Sequence, residues 1–461
     1  MGAGAIFGPS ETTAIVEVRD EIPEHLKDRP NVVLVIADTL RADHLGSYGD
    51  TRGLTPNLDA MADEGTVWQA FGQSSWTKPS VATILTSLYA ASHGAMSKPA
   101  ILPDVVTIAD ALQSEGYATS GFVSNINLAP SFNFQQGFDE YTYYAPDYLF
   151  GAEESSSKLV IYSILRVVNF KMQKSQWVEQ YYQDSRTVNA DALEWLSRHK
   201  DDRFFTLIHY MDPHDPYFVH PYEGRGIARV DNQNPDPDQA TEMLELYAGE
   251  IQYMDESFGA LRDQLREHGI YDNTLIVFTA DHGEEFQEHG GWWHGTTLYE
   301  EQVAVPLIAK FPAGSLVPAR PGGVGRLLDV APTILAASGI EIPAEWQGAD
   351  LALPIPSNRV AFAEEDHEGN IITAVRNARL KLIRANPGNP RGLPEVELFD
   401  LQKDPGEQLD IAADRRIEVE DLDREIVAIT TGAAEEAVAN EGEVQMDDAT
   451  RDRLRALGYI E

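Results

Sequence analysis

Three short runs in this chain are apolar at nearly every position, and each is followed at once by acidic or histidine residues. The first is Val32-Val33-Leu34-Val35-Ile36-Ala37, which ends on Asp38. The second, Phe204 to Tyr210, leads into Met211-Asp212-Pro213-His214-Asp215-Pro216-Tyr217. The third, Thr274 to Thr279, leads into Ala280-Asp281-His282-Gly283-Glu284-Glu285. Runs of this kind, rich in β-branched and aromatic residues, read as strands buried on both faces. Helical patterns lie between them, at 57–64, 105–115 and 190–199. A longer one carries Tyr247, Ile251, Met254, Phe258, Leu261 and Leu265 on one face, with Gly269 as its stop. Strands alternating with helices predict an α/β fold with a mostly parallel sheet. In open sheets of that class, sites form at the carboxyl ends of strands. Asp38, Asp212 with His214, and Asp281 with His282 are therefore expected at one sheet edge.

A fourth stretch matters to the same edge. Ser74-Ser75-Trp76-Thr77-Lys78-Pro79-Ser80 is a short polar loop, and Val81, Ile84, Leu85 and Leu88 after it have helical spacing. Pro79 fits the first turn of a helix, where its missing N–H has no partner to lose. Thr77 thus stands at a helix mouth, where free N–H groups and the helix dipole favour negative charge. Taken alone, Thr77 reads as a plain N-cap, and Asp38 taken alone reads the same way. The repeated placement of acids and histidines after buried strands favours chemistry.

Asp38, Asp281, His282 and Thr77 together offer two carboxylates, one imidazole and one hydroxyl. That donor set suits one divalent ion, Mg²⁺, Ca²⁺, Mn²⁺ or Zn²⁺. Such an ion would lower the Thr77 hydroxyl pKa and neutralise an anionic ester, so that Thr77 can attack phosphorus or sulfur. His214, Lys78, Asn125 and His294 are the candidates for holding non-bridging oxygens or protonating the leaving group. The expected catalytic set is Thr77, His214, His294 and Lys78, and Asn125, His214 and His294 are the expected substrate contacts.

Composition narrows the partners. The 461 residues hold 74 acids against 35 bases, a net charge of −39, so nucleic acid is not an expected partner. An anionic substrate would need local cations. No cysteine is present, which excludes disulfides, a thiolate nucleophile and thiolate metal ligands. No apolar stretch is long enough to span a membrane, and the first 30 residues lack a basic start and an apolar run. The chain reads as soluble: cytoplasmic as given, periplasmic or extracellular if a leader has been removed.

The motifs resemble the sulfatase family of the alkaline phosphatase superfamily. Asn31 to Tyr48 resembles the family's opening metal strand. Thr77-Lys78-Pro79-Ser80 is similar to its nucleophile motif, Cys or Ser followed by any residue and then Pro-Ser-Arg. Asp212 to Tyr217 is similar to its substrate-histidine loop, and Thr279 to Glu284 to its second metal motif. His294 to Glu300, Val305-Pro306-Leu307, Leu328 to Thr333, and Glu397 to Asp400 with Asp404-Pro405 also fit. The resemblance spans about residues 30–410. It implies an alkaline-phosphatase-like three-layer α/β/α sandwich, a smaller C-terminal antiparallel sheet, and one divalent metal.

Five departures stand out. Thr77 occupies the position that sulfatases convert to formylglycine. Val81 replaces the motif's Arg, Thr39 replaces the second Asp of the opening motif, and Ser124-Asn125 and His294 stand where the family carries Lys. A sulfated Thr lacks the hemiacetal escape of formylglycine, whereas water cleaves a phospho-Thr by in-line attack. The main expectation is accordingly a metal-dependent hydrolase of phosphate mono- or diesters acting through Thr77. The alternative is sulfuric ester hydrolysis, and a further alternative is transfer of phosphoglycerol or phosphoethanolamine. The substrate is expected to be a small anionic ester of a sugar, lipid head group or aryl alcohol.

The expected organisation is an arm at 1–30, a catalytic domain at 31–350 and a C-terminal subdomain at 351–425, followed by an acidic linker and terminal helix at 426–461. A helical insertion at about 145–185 reads as a lid, a partner surface, a membrane-skimming face or a helix packed on its own core. A homo-oligomer is compatible with the sequence.

Overall fold

The structure is a computed structural model and describes residues 11–13, 22–144, 182–220, 222–229, 232–315, 323–438 and 442–443. The three apolar runs form adjacent strands, Asn31–Ala37, Phe204–Tyr210 and Thr274–Ala280, with every residue of each buried. Asn31–Ala37 pairs in parallel with both others, so that Ala37 stands opposite Tyr210 on one side and Ala280 on the other. This register brings the three carboxyl ends to one edge, and the residues following them become neighbours.

Among the described residues the sheet has nine strands, in the order Glu11–Thr13, Glu140–Tyr143, Ala118–Val123, Phe204–Tyr210, Asn31–Ala37, Thr274–Ala280, Ala304–Lys310, Thr66–Phe71 and Gly325–Arg326. Pairing is parallel from Glu140–Tyr143 through Thr274–Ala280, and Ala304–Lys310 runs antiparallel to both of its neighbours. Strands apolar on both faces must be covered on both. One helix group joins Pro56–Glu64, Ser185–Arg198 and Ala240–Glu267. A second joins Thr77–Thr86, Ala90–His93, Ile108–Ser114 and Val330–Ala337. The long helix buries the stripe from Tyr247 to Leu265 and stops at Gly269, whose φ of 70° is the left-handed geometry expected of a terminator.

Caps move several boundaries. The helix expected over 105–115 is Ile108–Ser114, because Thr107 and Asp110 form a reciprocal cap at its start. The helix expected from 190 begins at Ser185, where the Asp184 carboxylate accepts from Thr187 N. A short strand, Glu223–Ile227, pairs antiparallel with Tyr217–Val219.

After residue 350, four strands form a separate antiparallel sheet: Ala361–His367, Asn370–Arg376, Leu380–Ala385 and Val396–Asp400. The helix Arg416–Glu435 lies across the expected 425/426 boundary, because Leu422, Ile426 and Ala433 form one buried stripe against Phe362, Val375 and Leu398 of that sheet. Residues 145–181 of the insertion expected at about 145–185, and residues 444–461 of the expected linker and terminal helix, lie outside the described residues. Among the described residues, no helix is long and apolar enough to cross a membrane.

Candidate active site

Asp38 is the first residue past the central strand, and its N–H still donates to Tyr210 O at 2.9 Å, which holds it in the sheet's frame. The next residue, Thr39, has a φ of 58°, unfavourable for a β-branched residue. Two contacts hold it there. Its N–H donates to Asp281 Oδ1 at 3.3 Å, and Tyr247 Oη donates to its carbonyl at 2.7 Å. Asp281 Oδ1 also accepts from His282 N at 2.9 Å. Gly283 follows because a Cβ there would lie 2.1 Å from the Glu301 carbonyl oxygen. The absent side chain lets Gly283 N donate to Gln302 O at 2.8 Å.

Asp38, Asp281 and His282 converge, with one ligand atom from each lying within 4.8 Å of the others. His282 Nε2 is 3.5 Å from Asp38 Oδ1 and 3.4 Å from Asp281 Oδ2. Its Nδ1 contacts Gly283 O at 3.0 Å, so Nδ1 carries the proton and Nε2 turns a lone pair toward the two carboxylates. Thr77 Oγ1 joins the group, 3.4 Å from His282 Nε2. Asn125 Nδ2 ties it together by donating to Asp38 Oδ2 at 2.7 Å and to Thr77 Oγ1 at 3.3 Å.

Thr77 is not the helix cap. It is the first residue of the helix Thr77–Thr86, and the cap position is Trp76, which makes no side-chain capping bond. The Thr77 hydroxyl is therefore spent on the cluster. The loop before it is pinned from the C-terminal sheet, where Glu365 Oε2 accepts from Ser75 Oγ at 2.7 Å, Ser74 Oγ at 3.1 Å and Ser75 N at 3.2 Å. Ser80 Oγ donates to Asp281 O at 2.6 Å and locks the helix onto the strand end.

Electrostatics indicate what the cluster holds. Burial and the neighbouring Asp281 push the Asp38 carboxyl well up, and burial pushes Asp281 up to about 7. Asp38 Oδ1 and Asp281 Oδ2 are buried with no hydrogen-bond partner. Burying a carboxylate costs several kcal/mol, whereas each charge-assisted hydrogen bond returns only about 1.5–3 kcal/mol. One donor on Asp38 and two backbone N–H groups on Asp281 do not offset two adjacent ions. A divalent cation between the two orphaned oxygens and the Nε2 lone pair would, so these residues fit one.

The other expected residues fall on both sides of the prediction. His214 Nδ1 lies 2.7 Å from Asp215 O, and its ring is 5.1 Å from that of His294. The His294 ring is in turn 4.5 Å from that of His282. These three imidazoles line one wall. Lys78 points elsewhere, which corrects its expected role: its ammonium donates to the carbonyls of Ser97, Lys98 and Ala100 and lies 3.5 Å above the Phe132 ring. Successive helical residues do not share a face, so a hydroxyl at 77 turned to the cluster carries Lys78 away from it. Burial depresses its pKa strongly. Lys78→Met is expected to lower the thermal midpoint by several degrees, about 1–3 kcal/mol, by stranding those carbonyls. An unchanged melting curve would contradict this assignment. Asp212 is also structural, accepting from Ser185 N and Tyr222 Oη, each at 2.8 Å.

Two residues escaped sequence reasoning. His209, fully buried inside its strand, sits with Nε2 3.6 Å from Asp38 Oδ2. An imidazole in an otherwise apolar strand, one residue before its end, was the available signal. Glu284 faces His294, with Oε1 3.0 Å from Nδ1, and accepts from Tyr217 Oη at 2.7 Å through Oε2. Burial raises the Glu284 carboxyl well above its usual range and depresses the His294 imidazole, so the pair is held neutral. Burial also depresses His214, brings His282 to about 4 and brings His209 to about 3. All four imidazoles are neutral near pH 7.

Comparison with known proteins places this geometry among relatives. A family profile described as sulfatase matches residues 30–340, and one described as N-sulphoglucosamine sulphohydrolase, C-terminal, matches 287–430. The chain is 24% identical to an N-acetylglucosamine-6-O-sulfatase of Bacteroides thetaiotaomicron, over 83% of this chain and 82% of the relative. It is 26% identical to an arylsulfatase of Clostridium perfringens, over 82% and 89%. Among solved structures, the phosphonate monoester hydrolase of Agrobacterium radiobacter superposes with a TM-score of 0.65 at 20% identity, covering 91% of this chain and 100% of that one. A protein solved with its substrate D-glucosamine-2-N,6-O-disulfate gives 0.65 at 20%, covering 88% and 98%.

Proposed function

Because the chain belongs to the sulfatase family and is an ester hydrolase of that family, we propose that it cleaves sulfuric monoesters of small alcohols, sugars among them, with Thr77 at the reacting centre and one divalent cation held by Asp38, Asp281 and His282. The observation that carries the ester class is the charge of the site. Two carboxylates and one divalent ion sum to zero, and the imidazoles are neutral. A sulfate monoester brings one negative charge, whereas a phosphate monoester brings about 1.5–2 at neutral pH. The singly charged ester is the better match.

Bound at that position, the cation would neutralise the carboxylates and lower the pKa of an oxygen beside it. The chain's own residues do the rest. Asn125 Nδ2 and His282 fix Thr77 Oγ1 within reach of the ester's central atom. Thr77 Oγ1, its proton released to solvent, forms a bond to sulfur as the bond from sulfur to the alcohol oxygen breaks. Glu284 and His294 form a neutral relay: Nε2–H passes to the leaving oxygen while the Glu284 carboxyl proton passes to Nδ1. Water, held by His214 on the same wall, then attacks sulfur as the bond to Thr77 Oγ1 breaks; its proton passes to His294 Nε2 while the Nδ1 proton returns to Glu284, and Thr77 Oγ1 takes a proton from solvent.

A second reading is favoured by one observation, the hydroxyl of Thr77 where formylglycine stands in sulfatases. A phosphodiester also carries one charge, and its Thr ester is open to in-line water. A panel of aryl sulfate, aryl phosphodiester and aryl phosphate monoester, with added Ca²⁺, Mg²⁺, Mn²⁺ or Zn²⁺, separates the readings. The expected outcome is turnover of the aryl sulfate at a kcat/KM at least about tenfold above the monoester. Cleavage of the diester alone would replace the first reading with the second.

A further inference from the structure

The reaction above accounts for one anion and leaves two cations near the site without a task. Arg229 follows the Glu223–Ile227 strand and is 8% exposed. Its N–H donates to the Asp215 carboxylate at 2.9 Å, beside His214. Its Nε is buried with no hydrogen-bond partner. Its Nη2 lies 3.7 Å from Glu368 Oε2, beyond direct hydrogen-bond reach. A guanidinium carries five N–H donors in a plane suited to two-point contact with an oxyanion, and this one is left largely unmatched. Its charge acts on His294 and Glu284. Lys98 Nζ meets the same Glu368 at 3.0 Å.

Glu368 reaches this place from the other sheet. His367 pairs with Asn370, so Glu368-Gly369 is a two-residue hairpin turn, with φ of 54° and 81°. The left-handed conformation is costly for Glu, and packing on both sides holds the tip. The His367 ring lies 4.8 Å from Trp76, the residue before Thr77. A Cβ on Gly295, next to His294, would lie 3.3 Å from His367. The tip is thus wedged between the Thr77 loop and the His294 turn, and its carboxylate sits among Lys98, Arg229 and the His367 Nε2, 3.6 Å away.

We propose that Arg229 and Lys98 form a binding subsite for a second anionic group of the substrate, a carboxylate or further sulfate beside the ester to be cleaved, and that Glu368 occupies this subsite until such a group displaces it. The proposal rests on the ester-hydrolase reading and names its substrate class as doubly anionic. A chain of net charge −39 repels such molecules, so a second negative group is tolerated only where local cations receive it. Arg229 is a specificity-determining residue here, not a catalytic one.

Calorimetric Kd values for nitrophenyl sulfate and its carboxylated analogue, measured on Thr77→Ala protein so that neither ester is consumed, give a selectivity ratio. In that background Arg229→Gln is expected to reduce the preference for the carboxylated ester about tenfold or more. Lys98→Gln reduces it by a smaller factor, and Glu368→Gln raises it. If Arg229→Gln does not fold, the direction of the Glu368→Gln change decides alone. A ratio that is the same in all variants overturns the proposal. A ratio that moves as stated, while the parent protein turns over neither sulfate, supports the subsite and overturns only the sulfuric-ester reading.

Discussion

Thr77→Ala is expected to lower kcat by about a thousandfold or more while leaving the fold intact. The two effects separate because of where the hydroxyl is used. The cap position is Trp76 and no side chain caps the helix, so alanine at 77 removes no capping bond. What it removes is the oxygen 3.4 Å from His282 Nε2 and 3.3 Å from Asn125 Nδ2. Thr77→Ser keeps that oxygen and is expected to retain measurable turnover. Rates on the aryl ester that the parent cleaves best, together with melting curves, make the test. Residual activity within tenfold of the parent would mean that water attacks directly and that Thr77 only positions it.

Asp281→Asn is expected to weaken divalent-ion binding by about a hundredfold or more, and yet to stabilise the metal-free protein at neutral pH. In the absence of metal the folded Asp281 carboxyl titrates near 7, above its ordinary 3.8. Between those values the native state holds a proton that the unfolded chain has released. The metal-free protein therefore loses stability as pH rises from about 4 to about 7. A saturating cation displaces the proton and reverses that slope. Asn at 281 removes the charge and flattens the contribution, worth up to about 4 kcal/mol and several degrees in thermal midpoint. Burial also raises Asp212 and Glu365, to about 7 and about 8, so the difference between parent and variant in chelator is the informative quantity. If the parent gains on the variant as pH rises in chelator, the sign is wrong and the carboxylates are compensated by something else.

The residue at the reacting centre and the relatives rank the two esters differently. Thr77 and Val81 alone point to phosphorus. The family match over 30–340 and the sulfatase relatives weigh toward sulfur, and the single-charge balance of the site weighs only against the phosphate monoester. The fold was legible because its evidence is local. Val32–Ala37, Phe204–Tyr210 and Thr274–Thr279 are apolar at nearly every position because helices cover both faces of the sheet, and that constraint is written in consecutive residues. Ala304–Lys310 and Thr66–Phe71 were not expected as strands. Their antiparallel pairing places them beside Thr274–Ala280 through contacts distant in sequence, which no run of residues announces.

Asp38, Thr77, Asp281 and His282 could be named from the sequence as a set, because each stands just past a buried strand or at a helix start, and a parallel sheet brings such positions to one edge. Which way each side chain turns was decided only by tertiary structure. Thr77 and Lys78 are neighbours in sequence, and the step of about 100° around the helix sends the first into the cluster and the second over the Phe132 ring. Glu284 became the partner of His294, and Glu368 reached Arg229 from a different sheet, because buried polar atoms must find partners in space wherever the chain supplies them. The alternation of buried strands with polar ends determined that these acids and histidines meet at one edge; packing and charge neutralisation across the two sheets determined their protonation, the wall of neutral imidazoles and the gathering of Arg229, Lys98 and Glu368 beside it.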